Sequence, residues 1–127
     1  MAANQISRIH FIARLSLAFV FIYHGLVPKI IWLSAVEVSL ADAHHFGIPA
    51  AWLSPMAGMM EILLGFSLIF YTQTLIPVYL AMAMLVVLLI DVAIVMPQLL
   101  IEAFNPVTIN LLSLAMGYII IMTQQNS

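Results

Sequence analysis

Arg14, His24, Lys29, Glu61, Asp91 and Asn110 each interrupt a long apolar run, where Leu, Ile or Val would be expected. An ionisable group in hydrocarbon is expensive, so each is a candidate for ligand binding, proton transfer or ion pairing. Lys29 and His24 offer hydrogen-bond donors, Glu61 and Asp91 offer acceptors, and Asn110 offers both. The fixed charges balance, Arg14 and Lys29 against Glu61 and Asp91, with His24 able to titrate. A lone buried charge tends to neutralise, whereas a pair can stay ionised, so Glu61 is expected to contact Lys29 or His24. The same pairing also serves as a lock between helices, and the residues alone leave pocket and lock both open. Arg14 reads as an orientation anchor whose head snorkels to the nearer headgroups. Asn110 suits a hydrogen bond between helices, and Asp91 lies near enough to its helix end to reach the interface. His44 and His45 are adjacent, with His24, Glu37, Asp42 and Glu61 elsewhere, but no H-x-x-x-H or E-x-x-H spacing exists, so no metal site is expected. The nine dispersed methionines read as packing residues.

The elements that must carry these groups follow from composition. Of 127 residues, 65% are hydrophobic and 6% charged, with mean hydropathy +1.20, which places the chain in the membrane class. Arg8, Arg14 and Lys29 are the only fixed cations and the net charge is -2, which excludes a basic surface for nucleic acid. The absence of cysteine excludes disulfides, thiol relays and Cys-ligated zinc or iron–sulfur clusters in this chain.

Apolar segments at about 10–33, 55–72, 76–96 and 105–122 each approach the ~20 residues that cross a bilayer as a helix. Backbone polar groups must be satisfied in lipid, so the expected fold is all-α, an antiparallel bundle of four transmembrane helices in one domain spanning 1–127. Ser54-Pro55 and Asn105-Pro106 read as N-caps followed by a first-turn proline, Pro77 suits the start of the third span, and Pro97 should end it. "ADA" at 41–43 resembles a signal-peptide cleavage site, but the run from Leu15 to Leu33 is long for a signal and is read as a retained span. Arg8 and Arg14 favour a cytoplasmic side for both termini. The 34–54 connection, with Trp32 and Trp52 near its ends, is expected to lie along the outer interface.

At about 1.5 Å of rise per residue, His24 and Glu61 fall within roughly 3 Å of mid-membrane, Asn110 and Asp91 roughly 5 to 8 Å out, and Lys29 about 10 Å out. All five share the outer half, which points to one polar site. Gly58, Glu61 and Gly65 form a small-residue face, and Pro106, Asn110, Ser113 and Gly117 form another. If the two faces pair, Glu61 is buried near Asn110.

"YHGLVPKI" at 23–30, "GMMEILLG" at 58–65 and "FNPVTIN" at 104–110 resemble the DoxX-like family of small four-helix membrane proteins, over about Arg8 to Gly117. The resemblance implies a multi-pass protein of a bacterial inner membrane. It singles out His24, Lys29 and Glu61 with Gly25, Pro28, Gly58, Gly65, Asn105, Pro106 and Asn110. The wider group includes a small subunit of a thiosulfate:quinone oxidoreductase and, more distantly, a receptor assembly factor. Two functions are therefore expected. One is an accessory subunit of a quinone-linked redox system, not a self-sufficient enzyme, with a polar pocket holding a quinone and a partner protein supplying electrons. The other is a non-catalytic scaffold or assembly factor. The implied partners are the lipid bilayer and either a redox protein or further copies of this chain.

Overall fold

The computed structural model describes residues 2–124. In chain order its helices are α1 (Ala2–Leu26), α2 (Ala35–Ala43), α3 (Ala50–Phe70), α4 (Ile76–Val95) and α5 (Pro106–Thr123). A π-helical turn, Val27–Ile31, continues α1, and a 3-10 turn, Pro97–Ile101, follows α4. Together with its π turn, α1 is long and apolar enough to cross a membrane, as are α3, α4 and α5. No strand occurs among the described residues. This is an all-α, polytopic membrane fold whose spans alternate in direction.

The helix ends follow from local chemistry. Asn105 caps α5 by accepting from the Thr108 amide at 3.0 Å, and Pro106 occupies the first turn, where its missing N–H costs nothing. Pro77 sits in the first turn of α4, and the helix stops before Pro97. Two limits differ from the hydropathy reading. First, α1 starts at Ala2 rather than near residue 10, because the helical ladder continues past the apolar run through residues 2–9, which contain no Gly or Pro to break it. Second, α3 begins at Ala50 with Pro55 inside it, so Ser54 is not its cap. The added turn is closed by the Trp52 and Leu53 amides on the Pro49 carbonyl, at 3.0 and 3.1 Å. Pro55 then leaves without a donor the carbonyl of Ala51, an exposed residue at the end of the span. The long connection is also more ordered than a loop. Ser34 caps α2 by accepting from the Glu37 amide at 3.2 Å.

The core divides by chemistry. Leu17, Leu68, Val78 and Ile120 are the largest fully buried side chains, one from each spanning helix, all toward the end that carries the chain termini. The opposite end, roofed by α2 and the 97–105 connection, holds the polar groups. The exterior is apolar, with Phe19, Leu63, Ile94 and Leu112 among many exposed large side chains, as lipid contact requires.

The small-residue faces pair differently from the expectation. The α3 face of Gly58, Glu61 and Gly65 lies on α1, while Gly117 of α5 lies against Met82 of α4. The two stripes do not meet, because each packs on its neighbour in the bundle. Gly25 of α1 and Gly58 of α3 touch reciprocally, so that a Cβ on either would fall on the other's carbonyl oxygen. A Cβ on Gly58 would also stand 2.9 Å from the Lys29 Cβ, and one on Gly25 would stand 3.0 Å from the Glu61 Cβ. Each glycine therefore clears the path for one stem of an ion pair. Gly58→Ala is expected to destabilise the protein by about 1–3 kcal/mol, since backbone cannot yield as a flexible side chain can. Unfolding in mixed detergent micelles checks this, and wild-type stability would refute the close contact.

Candidate functional site

The Gly25–Gly58 contact brings Lys29 and Glu61 together. The π turn that carries Lys29 forms where Pro28 can neither donate a backbone hydrogen bond nor tolerate the carbonyl one turn back, and the Trp32 amide reaches the Val27 carbonyl at 2.8 Å. Lys29 Nζ then donates to Glu61 Oε1 at 2.5 Å, with side-chain exposures of 11% and 5%. Its ammonium also lies 3.9 Å from Glu37 Oε1 of α2. Glu61 Oε2 is buried with no hydrogen-bond partner among the described residues, and so is Ser54 Oγ. Ser54 is near enough to Glu37 to favour its carboxylate electrostatically, but not in hydrogen-bond geometry.

Next to this cluster is a cavity of about 500 Å³ between α1, α2, α4 and the 97–106 segment. His24 and Glu37 line it with Glu102, and Val36, Leu40 and Phe104 are among its apolar walls. His24, central in the depth estimate, is not a buried residue: it sits on the more exposed side of α1 and opens onto the cavity, in the field of Glu61 and Lys29. Burial pushes the Glu37 carboxyl above the ordinary glutamate range, against the pull of Lys29 and with a smaller push from Glu61.

The other candidates lie elsewhere. Asp91 accepts from His44 Nε2 at 2.8 and 3.0 Å, while His44 Nδ1 lies 2.7 Å from the Leu40 carbonyl. A carbonyl and a carboxylate both demand donors, so this ring is an imidazolium tying α2 to α4. Asn110 donates to the Leu85 carbonyl of α4 at 2.9 Å, away from Glu61. Among the described residues, no three His, Asp or Glu side chains gather in a metal-binding group. Glu37 carries no motif of its own chemistry in the sequence, yet S-x-x-E at 34–37 is the signature of a capped helix that positions it.

The His44 contact gives a pH prediction. Hydrogen bonds to Asp91, then to Leu40, hold His44 above the ordinary histidine value against desolvation. Its contribution is therefore complete below about pH 6.5 and lost as pH rises through the raised folded value, an effect of about 0.5–1 kcal/mol at this partly exposed pair. By NMR titration the His44 ring should titrate above free histidine and fall back in Asp91→Asn. A midpoint at or below the free value would refute the tie.

The arrangement is thus a glycine-spaced ion pair on the quoted 23–30 and 58–65 motifs, with one spare carboxylate oxygen, beside a cavity walled mostly by residues outside those motifs. The model of the DoxX-like family matches residues 18–118. This chain belongs to the DoxX-like family. Among curated proteins and among solved structures, nothing matches it significantly. The family match spans Lys29, Glu61, the cavity wall and the Asn105 cap, so the cluster lies wholly within the DoxX-like region.

Proposed function

We propose that this DoxX-like protein is an accessory membrane subunit of a quinone-linked redox system in a bacterial inner membrane, with both termini cytoplasmic. The observation that carries the reading is the cavity walled by His24 and Glu37, with Glu37 3.9 Å from the ammonium of the buried Lys29–Glu61 pair. The donor set of the cavity fits a quinone headgroup. His24 can donate to a carbonyl, Glu37 can hold a proton, apolar walls suit the ring and tail, and about 500 Å³ is within the usual range for small-molecule sites. A bound quinone would supply two-electron redox chemistry, with electrons coming from a partner protein. His24 and Glu37 would orient the headgroup, and Lys29 would stabilise the Glu37 carboxylate left when its proton is given up.

The test is a native mass spectrum of the protein released from its own membranes in mild detergent. A stoichiometric quinone mass is expected, lost in His24→Ala and in Glu61→Gln. A bare oligomer, or a chain carrying only another protein, would overturn the reading. A second reading, a non-catalytic scaffold or assembly factor, is favoured by the way the Lys29 and Glu61 stems cross the two glycines, which is also how a helix lock is built. Under it, partner capture survives joint replacement of the pair by apolar residues.

A further inference from the structure

Among the described residues, Glu37 is the one carboxylate that both lines the cavity and reaches the buried ion pair. It stands in the first turn of α2, fixed by the Ser34 cap, with its side chain 22% exposed. Its side chain therefore borders the cavity, keeps a partly exposed surface on the interfacial helix, and lies 3.9 Å from the Lys29 ammonium. That ammonium has three N–H donors, and Glu61 Oε1 uses one of them. A shift of about 1 Å would let a second reach Glu37 without releasing Glu61.

We propose that Glu37 is the proton-carrying residue of the cavity, and that Lys29 is a shared counter-ion linking it to Glu61. The ligand class is a headgroup bearing a hydrogen-bond-accepting carbonyl, a point that rests on the quinone reading. As electrons from the redox partner reduce the carbonyl, the Glu37 O–H bond breaks and its proton passes to the reduced oxygen, which becomes a hydroxyl. The carboxylate left behind is neutralised by Lys29, and a proton from interfacial water restores the acid. No other carboxylate among the described residues both lines the cavity and pairs with Lys29. His24 lines the cavity but forms no ion pair with Glu61 among the described residues, and Glu61 is 4% exposed and does not line the cavity. Burial of Glu37 acts in the same direction, favouring its neutral form.

Lys29 from the π turn and Glu61 and Ser54 from α3 bear on the Glu37 titration. Further polar groups lie around it, His24 from α1 and Glu102 across the cavity. On α2 itself lie Asp42 and His44, the latter paired with Asp91 of α4.

The chain has only three glutamates, so carbon-13 labelling of their carboxyls gives a spectrum simple enough to assign. The protein would be titrated in lipid nanodiscs without ligand. The resonance removed by Glu37→Gln is expected to titrate above the ordinary glutamate range. Its midpoint should rise further in the Lys29→Met, Glu61→Leu double variant, because the pull of Lys29 exceeds the push of Glu61. Should Glu37→Gln fail to fold, Glu61→Gln and Glu102→Gln assign the resonance by elimination. A Glu37 midpoint at or below the ordinary value, or one unmoved in the double variant, overturns the proposal. Adding a short-tailed benzoquinone separates the two readings. If the Glu37 titration stands and the quinone shifts no resonance, the proton carrier is retained and the quinone reading falls.

Discussion

Lys29→Met is expected to destabilise the protein by about 3–5 kcal/mol, while Lys29→Met combined with Glu61→Leu returns to within about 1 kcal/mol of wild type. The asymmetry comes from what each variant leaves behind. Removing the lysine alone takes the donor from Glu61 Oε1, and Oε2 has none to begin with, so a side chain only 5% exposed keeps two unmatched acceptors. Removing both partners replaces the pair with apolar groups of similar volume, and the gain in packing offsets most of the lost attraction. Glu61→Gln should fall between, because the amide keeps the shape and can accept from Lys29 without the charge. Reversible unfolding in mixed micelles gives the double-mutant cycle directly. If Lys29→Met matched wild type, or if the double variant were as unstable as the single, the ion pair would not be the element that holds α1 on α3.

How much of this was legible in the sequence depends on whether a feature is local. The spans, the Asn105 cap and the stop before Pro97 follow from residues within a turn of one another, and the structure has them. Pro55 misleads for the same reason. Its local preference is to open a helix, but packing of α3 on α1 and α2 sustains one turn more, and the orphaned carbonyl lies at the surface. Depth alone put His24, Lys29, Glu61, Asp91 and Asn110 in one half of the bundle. It could not say which helix each stripe faces. Asn110 therefore bonds to α4, Asp91 answers a histidine from the interfacial helix, and only Lys29 and Glu61 meet. Facing is a tertiary property, set here by two glycines 33 positions apart that touch backbone to backbone.

Arg14 is the clearest case of a residue whose type was visible and whose task was not. As an orientation anchor it would snorkel to the headgroups, and Lys would serve as well. Instead it is 3% exposed at the end of the bundle that carries the termini. Its Nη1 donates to the Leu68 and Tyr71 carbonyls at 2.8 and 3.2 Å, and its Nη2 to those of Thr72 and Thr74 at 3.4 and 3.0 Å. Nη2 also reaches Gln124 Oε1 at 3.3 Å. The guanidinium thus closes the carboxyl end of α3, where unpaired carbonyls and the helix dipole both favour a cation. Its Nε donates to His10 Nε2 at 3.1 Å, which leaves His10 Nδ1 to donate to Thr123 Oγ1 at 2.9 Å and joins α1 to α5. A lysine has a comparable charge but no planar fork to span several carbonyls. Arg14→Lys is accordingly expected to cost about 1–2 kcal/mol, and Arg14→Met about 3–5 kcal/mol because buried carbonyls are left without donors. Unfolding in mixed micelles gives the order, and hydrogen exchange should show the loss concentrated at residues 68–75 and at the α1–α5 contact. Equal stability of Arg14→Lys and wild type would restore the anchor reading, since an anchor needs only a charge.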